Sequence, residues 1–586
     1  MEKWFVRNKE IDYRKISNDL GIDQIVSKIL VNRGIHTRES INKFLNTKLD
    51  DLHSPNLMKD LSKSVGLIKD KIDNNKKIRI VGDYDVDGVM SVYILYRSLL
   101  KLGAKVDYII PNRVEDGYGL NREIIKRSKE DSIDTIITCD NGIAALQSIE
   151  LARELGLTII VTDHHEPVFK ESGKEKEYIL PAAQAIINPK QPDCNYPFKE
   201  LCGAGIAYKL IDYLFGIYGI SKEESHQLLE FVAIATICDV VDLIDENRII
   251  VKYGLELINS TNNIGLKALI EESSIKKDLG VYHIGFIIGP TINASGRLDT
   301  AYGALDLLLS EDTDEAQRLA RELRDLNEER KSFTESGVEK INHQIENSQI
   351  GSEKIIIAYE PEIHESVAGI VAGRIKDTYN KPTIVLTKGK NDVKGSARSI
   401  KEYNIFAELT KCKDLLNNFG GHSMAAGLSL DIDKVDLLRE ELNNITELSE
   451  NDLIRKIYID MALPIEYISY KLINNLNRLE PFGKGNSKPL FGDRGLKINK
   501  AFKLGKNKNV LKLILESRKG TTVEALIFNH IKIFEESIIS KYGREGLDSI
   551  FKGINNNIRL DILYYPSINE YMGKTSIQII IQNYRV

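Results

Sequence analysis

Three apolar, β-branched runs in the first half of the chain lead into aspartate. Residues 78–81 precede Asp83-Tyr84-Asp85-Val86-Asp87-Gly88, residues 135–139 precede Asp140-Asn141-Gly142, and residues 158–162 precede Asp163-His164-His165. Mixed carboxylate and imidazole donors suit manganese, iron or zinc better than an ion that takes oxygen alone. Two such ions about 4 Å apart can deprotonate a water and stabilise the charge that builds on phosphorus during in-line attack, which is hydrolysis of a phosphoester without a covalent intermediate. By itself the Asp83 to Gly88 loop also reads as a helix-capping turn or a calcium loop. An EF-hand needs a bidentate Glu further on, and residues 89–96 contain none. There is no Gly-x-Ser-x-Gly elbow and no Gly-x-x-x-x-Gly-Lys-Ser/Thr loop, which speaks against serine hydrolysis and ATP-driven work.

What must bring these carboxylates together is a parallel sheet, because successive strand ends then open onto one edge. Short runs at 78–81, 106–110, 135–139 and 158–161 alternate with helical stretches at 89–102, 121–129 and 144–155, the pattern of βαβ units. Helices are predicted over 205–218, 223–238 and 248–258. Residues 313–346 read as one long charged helix around Leu319, Leu323 and Leu326. A second α/β segment follows, with strands at 354–359, 383–387 and 393–397, a helix at 367–377 and a glycine-rich loop, Phe419-Gly420-Gly421-His422. From about Ile454 alternating strands at 456–461, 510–515, 522–528, 558–565 and 575–581 suit a small closed β-barrel of the OB type. The predicted class is α/β: a parallel-sheet domain and a smaller α/β domain joined by a long helix, then an OB-fold-like barrel. The boundaries are 1–55, 56–310, 311–346, 347–450 and 451–586.

At a formal charge of −5 the chain has no global basic field, so a nucleic-acid partner would need a local groove. One candidate is the run Lys484, Lys488, Arg494, Lys497, Lys500, Lys503, Lys506, Lys508, Lys512, Arg518 and Lys519, opposed in sequence only by Asp493 and Glu516. With Phe482, Phe491 and Phe502 nearby it fits a groove that tracks a backbone and stacks bases. No run approaches the roughly 20 apolar residues of a membrane span, and Glu2 and Lys3 interrupt the place of a signal peptide's apolar region, so a cytoplasmic protein is expected. Five cysteines without Cys-x-x-Cys spacing indicate neither a zinc site nor a disulfide framework.

Asp163-His164-His165 is the signature of the DHH phosphoesterase family. Residues 112–120, Cys202-Gly203-Ala204-Gly205, residues 235–243 and Asn293-Ala294-Ser295-Gly296-Arg297-Leu298 resemble its RecJ branch of single-strand-specific exonucleases, and the resemblance covers nearly the whole chain. It implies Asp85, Asp87, Asp140, His164 and Asp239 as metal ligands, Asp83 and His165 lining the same site, and His422 facing the metals across a cleft. Residues 420–427 and 394–399, with His364 ahead of 367–372, resemble the DHH-associated domain. There the resemblance implies that Arg113, Asn293, Arg297, Ser396, Arg398, Gly420 and Gly421 bind substrate, including a terminal 5′ phosphate. Ser366 and Asp242 depart from the family pattern, where glycine and proline are usual. Residues 479–486 resemble the branch's OB region.

The implied activity is 5′ to 3′ exonucleolysis of single-stranded DNA, releasing 5′ mononucleotides with two divalent ions, manganese first and magnesium second, in DNA repair and recombination. A monomer is implied, with no membrane contact and with single-strand-binding protein and a RecQ-type helicase as partners. Two other readings stand beside it. One is a DHH phosphodiesterase of short oligonucleotides or cyclic dinucleotides, whose relatives have only the two α/β segments. The other is a non-catalytic single-strand-binding scaffold, whose ligand set would be degraded.

Overall fold

In the computed structural model the chain divides into two compact units, Leu52–Arg455 and a second made of Met1–Asp51 with Lys456–Val586. Residues 2–113, 116–172, 175–505, 507–528, 530–571 and 573–586 are described. Val114 and Glu115 of the 112–120 motif, and Lys506 of the basic run, lie outside them.

The unit Leu52–Arg455 is built on a five-stranded parallel sheet in the order Lys105–Ile109, Lys77–Val81, Thr135–Cys139, Thr158–Thr162, Ala185–Ile187. Its central strands are mostly Ile, Val and Thr and buried on both faces, as helix-covered parallel strands require, with Arg79 the one buried charge, paired to Asp107 and Asp131. Strand order reverses between Lys77–Val81 and Thr135–Cys139, which makes a crevice at their carboxyl ends. Val81 pairs with Thr138, and Cys139 with Thr162, so the loops carrying Asp83, Asp140 and Asp163 leave the sheet side by side. The helix predicted over 223–238 is in fact two, Lys222–Gln227 and Leu229–Cys238, and a hairpin of Val168–Ser172 with Glu175–Ile179 precedes the last strand.

The long helix spans Thr313–Asn347, capped by Asp312 accepting from the Glu315 amide. At 35 residues it runs about 52 Å. The second α/β lobe of this unit carries a mixed sheet in the order Asn418–His422, Ala425–Leu430, Val393–Arg398, Thr383–Lys388, Ile356–Tyr359. The expected glycine-rich loop is therefore a hairpin strand: Gly420 and Gly421 pair with Gly427 and Ala426, leaving only Ser423 and Met424 to turn the chain.

The other unit is a barrel. Phe491–Leu504, Val510–Glu516, Thr522–Phe528, Lys574–Arg585 and Arg559–Tyr571 pair in turn, and the last returns to the first, leaving no open edge between them. One expected barrel strand is corrected. Of the expected strand 456–461, Arg455–Ile459 pairs outside the barrel with Glu2–Val6 and only Met461 joins the barrel sheet, beside Phe491; the fifth place goes to Phe491–Leu504, whose alternation is broken by Gly492, Gly495 and two register shifts. The first 51 residues do not stand apart: Val26, Ile29, Leu30, Ile41 and Phe44 share one core with Phe491, Leu513 and Ile562.

Ion pairing also modifies the basic run. Lys503 meets Glu535 at 2.6 Å and Lys512 meets Glu524 at 2.5 Å, so acids remote in sequence neutralise part of it. Phe491 is buried, whereas Phe502 is exposed. Among the described residues no helix is long and apolar enough to cross a membrane.

Candidate metal centre and phosphate cleft

Four loops and one helix end converge at the sheet's carboxyl edge. Asp85 caps the helix Val86–Lys101, its carboxylate accepting from the Gly88 amide at 3.1 Å, so the capping reading of this loop holds for that one oxygen. A side chain at Gly88 could not be accommodated, because its Cβ would lie 2.3 Å from the Asp83 carbonyl oxygen. Asp87 accepts the amides of Gly203 and Ala204 at 2.6 and 2.7 Å, at the N-terminus of the helix Gly203–Ile217, where partial positive charge favours a carboxylate. Asp140 takes the left-handed backbone conformation, with φ 61°.

His164 stands among these acids. Its Nε2 is 3.0 Å from Oδ1 of Asp140 and 3.7 Å from Oδ2 of Asp87, while its Nδ1 is 3.8 Å from Oδ2 of Asp239. Asp239 caps the C-terminus of Leu229–Cys238. Asp163 has a different part. Buried, it accepts the amides of Ile143, His164 and His165 and the Nδ1–H of His165, so its lone pairs are spent on orienting the histidine loop. The Tyr118 hydroxyl donates to the Asp140 carbonyl at 2.8 Å and lies 3.3 Å from His165 Nδ1.

Electrostatically the cluster is unbalanced. Burial, reinforced by Asp87, Asp85, Asp83 and Asp239, pushes the Asp140 carboxyl well above the usual range. Burial and Asp85 do the same to Asp83, and burial with Asp87 and Asp85 pushes Asp239 up to about 8. Burial pulls His164 down to about 4, leaving a neutral imidazole with a free lone pair. Asp83 Oδ1 and Asp140 Oδ1 are buried without a hydrogen-bond partner. Asp83, Asp85 and Asp140 form one set, and Asp87, His164 and Asp239 another, with ligand atoms of each set within 4.8 Å of one another; Asp140, His164 and His165 overlap both. Orphaned oxygens, repelling acids and a deprotonated imidazole fit two neighbouring divalent cations.

Beside this cluster guanidinium groups gather. Arg297 donates to the Ser366 carbonyl at 2.9 Å, tying the helix Gly289–Leu298 to the second lobe. Ser366, a departure from the family pattern, also places its hydroxyl 2.7 Å from His364 Nδ1. Ser396 and Arg398 converge where a Cβ on Gly369 would meet Arg398 Nη2 at 2.8 Å and Ser396 Oγ at 3.5 Å. Burial, then Arg113 and Arg330, pulls Arg297 down to about 10. Burial and Arg113 lower Arg398 as well. Cations that repel one another in a buried place make an anion site.

A cleft of about 500 Å³ opens between Arg113 and the second lobe's Ser366, Lys394, Asn418 and Gly420. Gly421 has φ 148° and a Cβ there would lie 2.3 Å from the Ala425 carbonyl oxygen, so the hairpin requires glycine. His422 is exposed, its ring Nδ1 accepting from the Met424 amide. Asn293 is occupied differently from a free substrate contact: its Oδ1 accepts the Val86 amide at 3.0 Å and braces the acidic loop. Sequence reading missed Arg330, one of many charges on the long helix; it noted Gly203 and Ala204 only as part of a family motif, since no side-chain pattern announces what their amides hold.

The family models described as the DHH family N-terminal domain, the DHHA1 domain and the RecJ OB domain match residues 77–236, 352–448 and 459–583. The chain is 37% identical over 589 residues to the single-stranded-DNA-specific exonuclease RecJ of Bacillus subtilis, covering 99% of this chain and 70% of that protein. With the Escherichia coli RecJ it shares 31% over 602 residues, covering 99% and 98%. The crystal structure of Thermus thermophilus RecJ with Mn2+ matches at a TM-score of 0.80 and 27% identity, over 100% of this chain and 79% of that one. Full-length identity to these exonucleases, on top of the convergent acids and histidines, places the chain in the RecJ family of DHH phosphoesterases.

Proposed function

We propose that the chain is a metal-dependent exonuclease specific for single-stranded DNA, working 5′ to 3′ and releasing 5′ mononucleotides. In this reading Asp85, Asp87, Asp140, His164 and Asp239 hold two divalent ions, manganese or magnesium. The observation that carries it is the buried set of acids and imidazole beside a buried set of guanidiniums within one unit. Ions bound there would lower the pKa of water and stabilise charge on the phosphorus in flight.

The chain's own residues do the positioning. Asp163 fixes the histidine loop and the Gly203 and Ala204 amides fix Asp87, so donors are held before substrate arrives. Arg297, Arg398 and Ser396 take the terminal 5′ phosphate, Arg113 and the Gly420-Gly421 strand take the backbone beside it, and His422 closes the site. A terminal phosphate held by forked guanidiniums sets the register of cleavage, which makes the enzyme an exonuclease. Contacts to one backbone leave sequence unread.

The OB unit argues for long strands over the short-oligonucleotide reading, and an intact ligand set argues against a scaffold. In the cell we place the activity in the cytoplasm, in repair and recombination, as a monomer on strands supplied by a RecQ-type helicase and single-strand-binding protein. The test is digestion of end-labelled single-stranded and duplex DNA with manganese, magnesium or chelator. Mononucleotides from the 5′ end of single strands alone, abolished by chelator, are expected; metal-independent or duplex-preferring cleavage would overturn the reading.

A further inference from the structure

The helix capped by Asp239 has another end, and that end opens onto a cavity. Leu229–Cys238 is ten residues long, about 15 Å, and carries Glu230 in its first turn. Glu230 and Phe231 form one wall of a cavity of about 590 Å³ inside the unit Leu52–Arg455. Tyr93 of Val86–Lys101, Leu257 of Asp245–Ile258 and Leu308 and Leu309 of Tyr302–Leu309 form the others. Its size suits a small organic ligand.

Glu230 is 8% exposed, and its Oε2 is buried with no hydrogen-bond partner. A buried carboxylate left in that state is costly. The neighbouring polar groups are already engaged. The Asn263 side chain donates to the Tyr93 hydroxyl at 3.1 Å and to the Leu308 carbonyl at 2.8 Å, and accepts the Leu266 amide at 2.7 Å. Arg97 and Glu311, both exposed, pair with each other at 3.0 Å. Helix ends of both signs meet around the cavity: Asp245–Ile258 and Tyr302–Leu309 finish there, whereas Leu229–Cys238 and Ile264–Glu272 start there. Their dipoles oppose one another, so the Glu230 carboxyl sets the sign of the site.

The rest of the lining narrows the ligand. The Tyr93 and Phe231 rings lie 4.2 Å apart, tilted by 42°, and aromatic walls favour a cation with an apolar body. A divalent ion would be poorly served. Among the described residues, the groups of three side chains able to hold one lie in the metal centre described above.

We propose that this cavity binds a small organic ammonium ion, with its nitrogen on the Glu230 carboxylate and its hydrocarbon against Phe231, Leu257 and Leu308. The ion's N–H groups supply the donor that the fold withholds from Glu230, and its charge offsets the buried one. The site stands whether or not the exonuclease reading does, because none of its residues is assigned to the metals or the phosphate.

The test uses n-butylammonium, n-butanol and butyrate, which share a chain and differ in charge. Their binding to the full chain at pH 8 is measured by calorimetry and ligand-observed NMR, for wild type, Glu230→Gln and Leu309→Trp, each first shown to unfold cooperatively in urea. Wild type should bind one butylammonium per chain and melt at a higher temperature with it. Glu230→Gln keeps the shape without the charge and should bind it roughly 10- to 100-fold more weakly, the range for a hydrogen bond to a charged group. Leu309→Trp adds bulk at a half-buried wall and should also weaken binding, although Glu230 is untouched. Butanol and butyrate should bind wild type more weakly than the ammonium ion does. Equal binding of butanol, wild-type affinity in either variant, or no saturable binding overturns the proposal. So does uptake of many ions per chain, which marks a screened acidic surface in place of a site.

Discussion

Nε2 of His164 lies 3.0 Å from Oδ1 of Asp140, yet that oxygen has no hydrogen-bond partner. Donors about 2.1 Å from one octahedral ion stand about 3 Å from each other, so the pair has the spacing of two ligands on one cation. Asp140→Ala should lower hydrolysis at least about a hundredfold and leave single-strand binding in chelator intact. It should also raise the melting temperature of metal-free protein, because it removes a buried acid that its neighbours repel. Wild-type turnover in this variant would take Asp140 out of the site.

Asp163 touches the chemistry only through others. Asp163→Asn keeps the volume and can keep one oxygen on the His164 and His165 amides, but it loses the charge and turns the other acceptor into a donor against the Ile143 amide. Manganese affinity, read by calorimetry, should fall about 10- to 100-fold, as for other groups that orient ligands. Unchanged affinity would make Asp163 a mere turn residue.

Glu230 opens the helix that ends in Asp239. It is buried, its Oε2 has no partner, and burial pushes its carboxyl up to about 7 against the pull of Thr261. Folded protein therefore holds a proton that unfolded protein releases near its ordinary 4.5. The resulting stability is complete below pH 4.5 and is lost as pH rises through 7, on the order of 3 kcal/mol in all. Glu230→Gln should remove that part of the pH dependence and be the more stable protein at pH 8. Parallel urea-melt profiles for the two proteins from pH 5 to 8 would contradict this.

The shared core of the two chain ends makes two truncations behave oppositely. Residues 52–455 should purify as a folded unit that melts cooperatively. Residues 1–448 should aggregate, because Val26, Ile29, Leu30, Ile41 and Phe44 would lose their partners. The folded fragment should bind long strands more weakly, with a salt slope shallower by about 0.7 for each phosphate it no longer neutralises. An unchanged slope would deny the OB unit a backbone role.

The parallel sheet and its acids were legible because the buried strands are dominated by Ile, Val and Thr, and because the loops at their ends are short. Asp239 was not: it ends an apolar helix like any capping residue, and only the family resemblance pointed to it. Phe491–Leu504 hid because its glycines and bulges break the two-residue period. Gly420-Gly421 looked like a loop because glycine says nothing of pairing. The partnership of Met1–Asp51 with Lys456–Val586 was invisible for a different reason: contacts across hundreds of residues leave no local periodicity.

That partnership sets an order of events at the ribosome. The intervening unit of about 400 residues can emerge and fold as soon as it is made, while the opening helices wait with their apolar faces bare. At about 5 to 20 residues per second the delay is roughly 20 to 80 seconds, long enough for a nascent-chain chaperone to occupy them first.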